Sequence, residues 1–238
     1  MSLLPPSRFF PPADTADEDG LLFVGGELTP SWMIDAYRHG IFPWPIFEDP
    51  ELTAWWSPQP RAIFEFDEFH ASRRLLRTCR SGKFQVTCDQ AFSKVLQGCA
   101  TASGREGNTW LTPHLARAYE RMFELGFAHS VEVWHEGELA GGTYGVSLGG
   151  LFAAESMFHY VRDASKVALV HLHRHLIARG YVVWDIQQLT SHTESLGACN
   201  IPRREYLRRL ALALQLPATF GSQLESNVAA GNPPRFFA

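Results

Sequence analysis

The chain has 238 residues, of which 45% are apolar and 19% are charged, so it is long enough to form a globular protein with a sizeable core. Its net charge of −4 excludes a protein coated in basic surface. No segment approaches the roughly 18 consecutive apolar residues of a membrane helix, and the first residues lack a secretory pattern. We therefore expect a cytoplasmic protein without a membrane segment.

Short elements separated by proline, glycine and tryptophan make up the first sixty residues. Residues 1–20 are rich in proline and acidic side chains and show no periodicity. Thr29-Pro30 is typical of a helix start, and Gly40 ends the short helix that follows. Near residue 60 these loops rich in proline and tryptophan give way to helical patterns. We therefore expect a small N-terminal α/β domain over residues 1–60 and a second domain over residues 61–238.

The second domain combines helices with a run of antiparallel strands. Helical patterns begin near Asp67 and Asp89, and another helix extends from Thr112-Pro113 to Gly126. The later elements are predicted as strands over 130–135, 139–148 and 151–158, a helix over 163–179, a strand over 181–187 and a helix from Pro202 to about Leu214. The tail after Pro217 is expected to be loose.

An antiparallel meander followed by helix, strand and helix is the order of GNAT-type acyltransferases. We therefore expect an α+β fold with a mixed, largely antiparallel sheet. Coenzyme A users of that fold bind pyrophosphate through a glycine-rich turn at the start of the helix after the meander. Residues 159–166 occupy this place and contain no glycine. A different acyl donor is therefore favoured, and a coenzyme A-dependent N-acyltransferase of the GNAT type is the alternative.

Polar side chains end the predicted strand over 181–187. The apolar run stops at Asp185, and Gln187 follows two residues later. Because residues i and i+2 of an extended chain share a face, these two side chains can hydrogen-bond to each other and to a substrate amine or carbonyl. An ordinary strand end that turns polar at the solvent is the alternative.

A single carboxylate, Glu155, lies within the third strand of the meander. A buried carboxylate needs a partner, which is either a structural group such as an arginine or a cationic substrate held jointly with Asp185 and Gln187. Alternation predicts Leu151, Ala153, Glu155 and Met157 on one face of this strand and Phe152, Ala154, Ser156 and Phe158 on the other.

Positive charge is concentrated in two clusters of this acidic chain. The first consists of Arg73, Arg74, Arg77, Arg80 and Lys83, and the second of Arg203, Arg204, Arg208 and Arg209. Residues 73, 77 and 80 line one face of a helix. Each cluster is either a solvated helix face or a footprint for phosphates, and charge alone does not choose.

Cysteine and histidine do not form a pattern typical of a metal site. Cys79, Cys88, Cys99 and Cys199 have no C-x-x-C spacing, so we expect reduced thiols without assigned chemistry. His171 and His175 are four residues apart on a predicted helix, but a third ligand is not evident, and an exposed helix face is the preferred interpretation. We therefore expect no metal.

Several short motifs occur together in one order between residues 20 and 220. They are Gly25-Gly26-Glu27-Leu28, the run Tyr37-Arg38-His39-Gly40-Ile41-Phe42-Pro43-Trp44, Trp56-Ser57-Pro58, Asn108-Thr109-Trp110-Leu111-Thr112, Glu155-Ser156-Met157-Phe158, and His192-Thr193-Glu194-Ser195-Leu196-Gly197-Ala198 through Ile201-Pro202-Arg203-Arg204. With these motifs the chain resembles the leucyl/phenylalanyl-tRNA–protein transferase family.

The resemblance implies a small N-terminal domain joined to a GNAT-like domain. It also implies transfer of Leu or Phe, with Met undecided, from aminoacyl-tRNA onto proteins whose N-terminal residue is Arg or Lys, which marks those proteins for degradation. Aminoacyl-tRNA and such proteins are then the partners. A non-catalytic binder of basic N-termini is a further hypothesis, but it would not need a tryptophan pair.

Carried over residue by residue, the resemblance assigns acceptor-side roles to Glu155, Asp185 and Gln187. It places the wall for the terminal adenosine at Trp44 and Trp110, which agrees with the tendency of single-stranded bases to stack on aromatic faces; packing of two loops by these tryptophans is the alternative. The remaining candidates for the adenosine and aminoacyl group are Tyr37, Tyr119, Phe152 and Ser156. The chain departs from the family pattern at Thr143 and Thr190, which puts contacts there in doubt, including part of the pocket for the apolar side chain.

The reaction that the resemblance implies needs few catalytic groups. An aminoacyl ester is already activated, so an α-amine can attack it without ATP, metal or cofactor, and positioning should dominate. In this scheme Asp185 polarises and orients Gln187, the amide oxygen of Gln187 accepts from the attacking amine, and Glu155 fixes the acceptor. The 2′-hydroxyl of the tRNA is an alternative proton route.

Overall fold

The computed structural model describes residues 4–46, 52–102 and 109–225. Its N-terminal part contains β1 (Leu21–Val24), α1 (Pro30–Arg38), β2 (Phe42–Pro43) and β3 (Ala54–Trp56). Strand β3 pairs with both β1 and β2 in an antiparallel three-stranded sheet. Helix α1 begins with proline after Thr29 and ends before Gly40, whose φ of +73° favours glycine, so this predicted helix is confirmed.

A seven-stranded sheet dominates the rest of the chain. The elements here are β4 (Arg61–Phe64), α2 (Arg73–Arg80), β5 (Gln85–Cys88), α3 (Phe92–Thr101), α4 (Pro113–Glu124), β6 (Ala128–His135), β7 (Glu138–Leu148), β8 (Leu151–His159), α5 (Ala164–Ala178), β9 (Val183–Gln187), α6 (Ser191–Glu194), β10 (Ala198–Ile201) and α7 (Arg203–Ala213). The strand order is β10-β4-β9-β8-β7-β6-β5.

The predicted α+β class with a mixed, largely antiparallel sheet is confirmed. Strands β8 and β9 are parallel, and the other neighbouring pairs of described strands in the sheet are antiparallel. The meander β6, β7 and β8, the crossover helix α5 and the parallel strand β9 follow one another in the predicted GNAT-like order. In the described ranges, none of the helices combines the length and apolar character needed to span a bilayer.

Apolar cores cover the two faces of the large sheet. One core joins side chains of α1, α3, α4 and α7 to residues of the sheet such as Tyr144 and Leu151, and it continues to Trp55 of the small sheet. The other core packs α2 and α5 against residues such as Phe152 and Trp184. The predicted division at residue 60 falls between the two sheets and stays a prediction, because one core is shared across it.

Several predicted elements differ from the structure. The helix expected near Asp67 begins at Arg73, because the hydroxyl of Ser72 accepts from the Leu75 N–H and caps it. The helix expected near Asp89 begins at Phe92. The strands β1, β3, β4, β5 and β10 were not predicted, since they are only 3 or 4 residues long and show no clear alternation.

The tail after Pro217 is not loose as far as Glu225. Phe220 is buried, its carbonyl accepts from Nε2 of His175 at 2.8 Å, and the Glu225 N–H donates to Nδ1 of the same ring at 3.0 Å. The sequence predicts an exposed helix face for His175, and this prediction is wrong because the segment covers the ring. Residues 226–238 and Asn108 of the predicted motifs lie outside the described residues.

Candidate active site

Glu155 lies at a β-bulge in strand β8. Tyr144 of β7 pairs with Ser156 and Gly145 pairs with Ala154, which leaves Glu155 without a partner in the ladder. Because a bulge shifts the alternation by one residue, the predicted faces are wrong beyond Glu155: Phe158 joins the core that contains Leu151, and Met157 packs against the opposite core. Glu155 itself stays on the face of Leu151 and Ala153, where its carboxylate meets α1 and α4.

Three side chains donate hydrogen bonds to this carboxylate. Oε1 of Glu155 accepts from the Tyr37 hydroxyl at 2.7 Å and from Nε2 of Gln187 at 3.0 Å, and Oε2 accepts from the Tyr119 hydroxyl at 2.8 Å. The tyrosine oxygens are 2.9 Å apart. Burial raises the pKa of Glu155 to about 7, although the tyrosine hydrogen bonds act in the opposite direction. The acid therefore changes charge near neutral pH.

Gln187 lies at a second bulge, in strand β9. Asp185 pairs with Ile63 of β4 and Gln187 with the adjacent Ala62, so Ile186 is the extra residue. Gln187 has a left-handed φ of +57°. The parallel pairing of β8 with β9 covers 151–153 against 183–185. Beyond this pairing, the side-chain bond from Gln187 to Glu155 bridges the two strands.

Asp185 is fully buried and does not bond to the Gln187 amide group, so the predicted bond between these two side chains is wrong. Its Oδ1 accepts from the backbone N–H of Gln187 at 3.0 Å and from Nε of Arg61 at 2.8 Å. Its Oδ2 accepts from Arg61 at 2.6 Å and from the Tyr206 hydroxyl at 2.9 Å. Asp185 and Arg61 thus form an ion pair in which both side chains are at most 1% exposed.

Arg61 and Tyr206 are thus site residues that the sequence interpretation missed. The signal for Arg61 was a single arginine that precedes the apolar run of β4, because a charge inside a buried strand needs a buried partner. Tyr206 gave no signal beyond its place on a predicted helix.

Trp44 and Trp110 come from loops far apart in the sequence and stack on each other. Their ring centroids are 4.5 Å apart with an angle of 15° between the planes. The rings of Trp110 and Tyr119 are nearly perpendicular with centroids 6.5 Å apart, which places the indole pair next to the two tyrosines that bind Glu155. The structure thus brings six predicted site residues together in one set of contacts: Trp44, Trp110, Tyr37, Tyr119, Glu155 and Gln187.

Two predicted contacts for the aminoacyl group have different outcomes. Phe152 is buried on the opposite face of the sheet, where it stacks with Phe220 at 5.6 Å and cannot reach the site, so this prediction is wrong. Ser156 adjoins Glu155 in the bulge, and its role stays a prediction. Of the two departures from the family pattern, Thr143 donates to the Ser156 carbonyl at 2.9 Å and Thr190 caps the short helix α6.

The two basic clusters differ in their surroundings. In the first, Arg74 pairs with Asp163 at 2.9 Å, whereas Arg73, Arg77, Arg80 and Lys83 are exposed and have no carboxylate partner within the described ranges. In the second, Arg208 and Arg209 pair with Glu205, and Arg203 donates to backbone carbonyls. Two of its four charges are therefore paired with carboxylates, and Arg204 is exposed. The first cluster, called the α2 cluster below, has more exposed cations without a carboxylate partner in the described part of the chain and is the better candidate for phosphates.

The site thus combines a carboxylate and an amide that bridge two parallel strands with a stacked aromatic pair alongside. Residues 63–211 match the family described as leucyl/phenylalanyl-tRNA protein transferase, and residues 26–59 match the N-terminal domain of that family. The chain belongs to the leucyl/phenylalanyl-tRNA–protein transferase family. It is an aminoacyltransferase that uses aminoacyl-tRNA as the donor and protein as the acceptor.

Individual relatives agree with this assignment. The leucyl/phenylalanyl-tRNA–protein transferase of Syntrophotalea carbinolica is 48% identical over 211 residues, which cover 88% of this chain and 91% of the relative. That of Nitratidesulfovibrio vulgaris is 49% identical over 213 residues, 89% of this chain and 90% of the relative. Among solved structures, a GCN5-related N-acetyltransferase-like protein from Streptococcus suis superposes with a TM-score of 0.36 at 15% identity, over 60% of this chain and 57% of that one.

Proposed function

We propose that the protein transfers Leu or Phe from aminoacyl-tRNA to the N-terminal α-amine of proteins that begin with Arg or Lys, and that this transfer creates a degradation signal. The observation that carries the proposal is the Glu155–Gln187 pair, held by Tyr37 and Tyr119 and adjoining the stacked tryptophans. Since charged tRNA is the donor, the proposal places the protein in the cytoplasm. Met is a third donor to be tested.

The donor side consists of the indole pair and the α2 cluster. The single-stranded 3′ end of a tRNA exposes an adenine that can stack on an aromatic face. Because the two indoles are already 4.5 Å apart, the adenine stacks on an outer face of the pair and not between the rings. The exposed cations Arg73, Arg77, Arg80 and Lys83 then bind phosphates further along the tRNA.

The acceptor side is the Glu155 carboxylate. A cationic N-terminal residue next to Glu155 favours the ionised form of the acid and lowers its pKa from about 7, so binding and ionisation support each other. An acceptor that begins with an uncharged residue lacks this attraction. This difference is the physical basis of the proposed preference for Arg and Lys.

Gln187 is suited to orient the attacking amine. Its Nε2 donates to Glu155, so its amide oxygen points away from that bond, and no donor among the described residues bonds to this oxygen. The oxygen can accept from the α-amine as its nitrogen attacks the ester carbonyl. The new amide bond forms, the ester C–O bond breaks, and the proton passes to the departing ribose oxygen, either by way of Gln187 or through the neighbouring ribose hydroxyl.

A comparison of acceptors and donors tests the proposal. Protein is mixed with Leu-tRNA and a peptide that begins with Arg, then with a peptide identical except for an initial Ser, and then with acetyl-coenzyme A and the Arg peptide. Transfer in the first mixture alone is the expected result. Equal transfer to both peptides would refute the proposed acceptor preference, and acetylation would revive the coenzyme A hypothesis.

A further inference from the structure

Arg61 lies next to Asp185 and makes no hydrogen bond to Glu155 or to the indoles among the described residues. Its side chain is 1% exposed. Arg61 is the first residue of strand β4, which lies next to β9 in the sheet. The guanidinium donates to both oxygens of Asp185 and to the carbonyl of Gly40 at 3.0 Å. Although burial opposes its charge, Asp185 raises the pKa of Arg61 above its ordinary value. The charge is therefore permanent.

Each oxygen of Asp185 already accepts two hydrogen bonds, so Asp185 cannot accept a further one from a substrate. Arg61 and the Gln187 N–H occupy Oδ1, and Arg61 and the Tyr206 hydroxyl occupy Oδ2. A carboxylate enclosed by these donors is held in one orientation. It is therefore arranged to hold other groups in place.

The group that Asp185 holds on the substrate side is the backbone of Gln187. A φ of +57° is unfavourable for a residue with a side chain, so this conformation persists only where the surroundings impose it. The hydrogen bond from the Gln187 N–H to Asp185 is such a constraint. If it were lost, the backbone would relax and the Gln187 amide would no longer point at Glu155.

Arg61 also holds the loop that connects α1 to β2. It lies over the rings of Phe42 and Tyr206, with its central carbon 4.9 and 4.5 Å from their centroids. Gly40 has a left-handed φ of +73°, which favours glycine, and an added Cβ would lie 2.6 Å from a Leu207 methyl carbon and 3.0 Å from the Tyr206 ring. The same loop follows Tyr37 and leads to Trp44.

We propose that Arg61 is a positioning residue for aminoacyl transfer, which acts through Asp185 to fix the backbone of Gln187 and thereby aims the Gln187 amide at the reacting amine. Asp185 is in this view an anchor. The inference rests on the proposed role of Gln187, and it goes beyond that role by giving the buried ion pair a function in the reaction.

A double-mutant cycle tests the coupling. Arg61→Lys, which keeps the charge and loses the planar fork, is made in the wild type and in Gln187→Ala, and single-turnover rates and the KM for Leu-tRNA are measured. In the wild-type background the rate should fall on the order of 10- to 100-fold with an unchanged KM. In the Gln187→Ala background it should fall less than about 3-fold, because no amide remains to be aimed. An equal loss in both backgrounds would overturn the proposal.

Two further variants separate positioning from folding. Arg209→Lys alters another buried arginine, one that pairs with Glu65 and Glu205 away from Gln187, and should keep the wild-type rate. Arg61→Met combined with Asp185→Leu replaces the ion pair by apolar groups of similar size, which commonly preserves folding, yet removes the acceptor for the Gln187 N–H. Its rate should fall to that of Gln187→Ala. A folded double variant with the wild-type rate would overturn the proposal.

The cycle is independent of the acceptor preference. It compares ratios of rates, so it is run with whichever initial residue the wild type accepts. Loss of selectivity for Arg and Lys would refute the proposed function and leave the positioning role standing, whereas additive losses would refute the positioning role alone.

Discussion

At the scale of single residues, two β-bulges in neighbouring strands bring the acid and the amide together. Each bulge interrupts the regular alternation at one position, and the side chains of Glu155 and Gln187 meet where the two strands are no longer paired. Bulges are frequent next to active sites because they redirect a side chain without disturbing the rest of the sheet. Four further side chains, Tyr37, Tyr119, Arg61 and Asp185, then limit how either group can move.

The raised pKa of Glu155 predicts a pH-dependent stability. In the unfolded chain Glu155 ionises near pH 4.5, whereas burial delays ionisation to about pH 7 in the fold. Stability from this residue is therefore complete below about pH 4.5 and is lost as pH rises through about 7, by about 3 kcal/mol at most. Urea unfolding of the wild type and Glu155→Gln between pH 4 and 8 should show this loss only in the wild type. Parallel pH profiles would contradict the assignment.

Removal of the amide should slow transfer without weakening donor binding. Gln187→Ala and Asp185→Ala should each lower the rate on the order of 10²-fold or more, the scale of lost positioning. Asp185→Ala also leaves the Arg61 charge buried alone, at a cost of about 3–5 kcal/mol of stability, so its rate is measured well below its melting temperature. Exposed Gln188 is the matched control, and Gln188→Ala should be unaffected. Wild-type rates in folded Gln187→Ala would exclude the amide from the reaction.

The stacked tryptophans predict a donor-binding effect that depends on ring area. Trp44→Ala or Trp110→Ala should weaken the binding of a non-hydrolysable aminoacyl-adenosine analogue by about 1–3 kcal/mol, roughly 5- to 150-fold. Replacement by Phe should retain much of the affinity. Because each indole supports the other, the double Ala variant should lose less than the sum of the single losses. Inhibition constants measure this effect. Equal potency against all folded variants would leave both tryptophans as packing residues.

At the scale of elements, α2 and α7 carry similar charge with different consequences. In α7, Arg208 and Arg209 pair with Glu205 or Glu65 and Arg203 donates to backbone carbonyls, whereas α2 directs most of its cations toward solvent. An ion pair within the fold neutralises a cation before a phosphate can reach it. A count of arginines in the sequence therefore does not identify the nucleic-acid surface.

The α2 cluster predicts the salt dependence of tRNA binding. Replacement of Arg77 by Gln should weaken the binding of tRNA. It should also reduce the slope of log affinity against log salt concentration by about 0.7–0.9 if one phosphate contact is lost. Arg208→Gln, in the paired cluster of α7, is the control and should keep the slope. Affinity titrations from low to high salt measure both variants. An unchanged slope in a variant without Arg73, Arg77 and Arg80 would assign α2 to an ordinary solvated face.

At the scale of the whole molecule, the segment from 218 to 225 closes one core of the large sheet. Phe220 is 1% exposed and stacks on His129 and Phe152, while Arg179 donates to the Thr219 carbonyl at 2.8 Å. Many separate contacts on α5 and the meander hold this segment. Its order therefore depends on a surface that only the folded sheet provides.

This closure predicts a large stability effect at a position near the end of the described chain. Phe220→Ala should lower the free energy of unfolding by about 3–5 kcal/mol, because it leaves a cavity in a packed core. Leu216→Ala, at an exposed apolar residue nearby, should cost much less. Urea denaturation of both variants measures the difference. Equal losses would show that the segment does not contribute to the core.

The sequence by itself determined the fold class, the family and the order of the meander with the helix, strand and helix that follow it. Helix starts at Thr-Pro pairs, helix ends at glycine and the alternation of the meander are local signals, and they were sufficient for α1, α4, α5 and most of β6 to β9. Local signals also singled out Asp185, Gln187 and Glu155, since a polar residue in an apolar run stands out without knowledge of its neighbours.

Only the tertiary structure decided how these residues act. A bulge depends on pairing with another strand, so no alternation within β8 could show that the faces of Met157 and Phe158 exchange beyond Glu155 or that Glu155 meets two tyrosines from α1 and α4. The partner of Asp185 proved to be Arg61, which lies 124 residues away in the sequence, because β4 and β9 are neighbours in the sheet. The physical reason is that a buried charge is satisfied by whatever group the fold places next to it, and that group can come from any part of the chain.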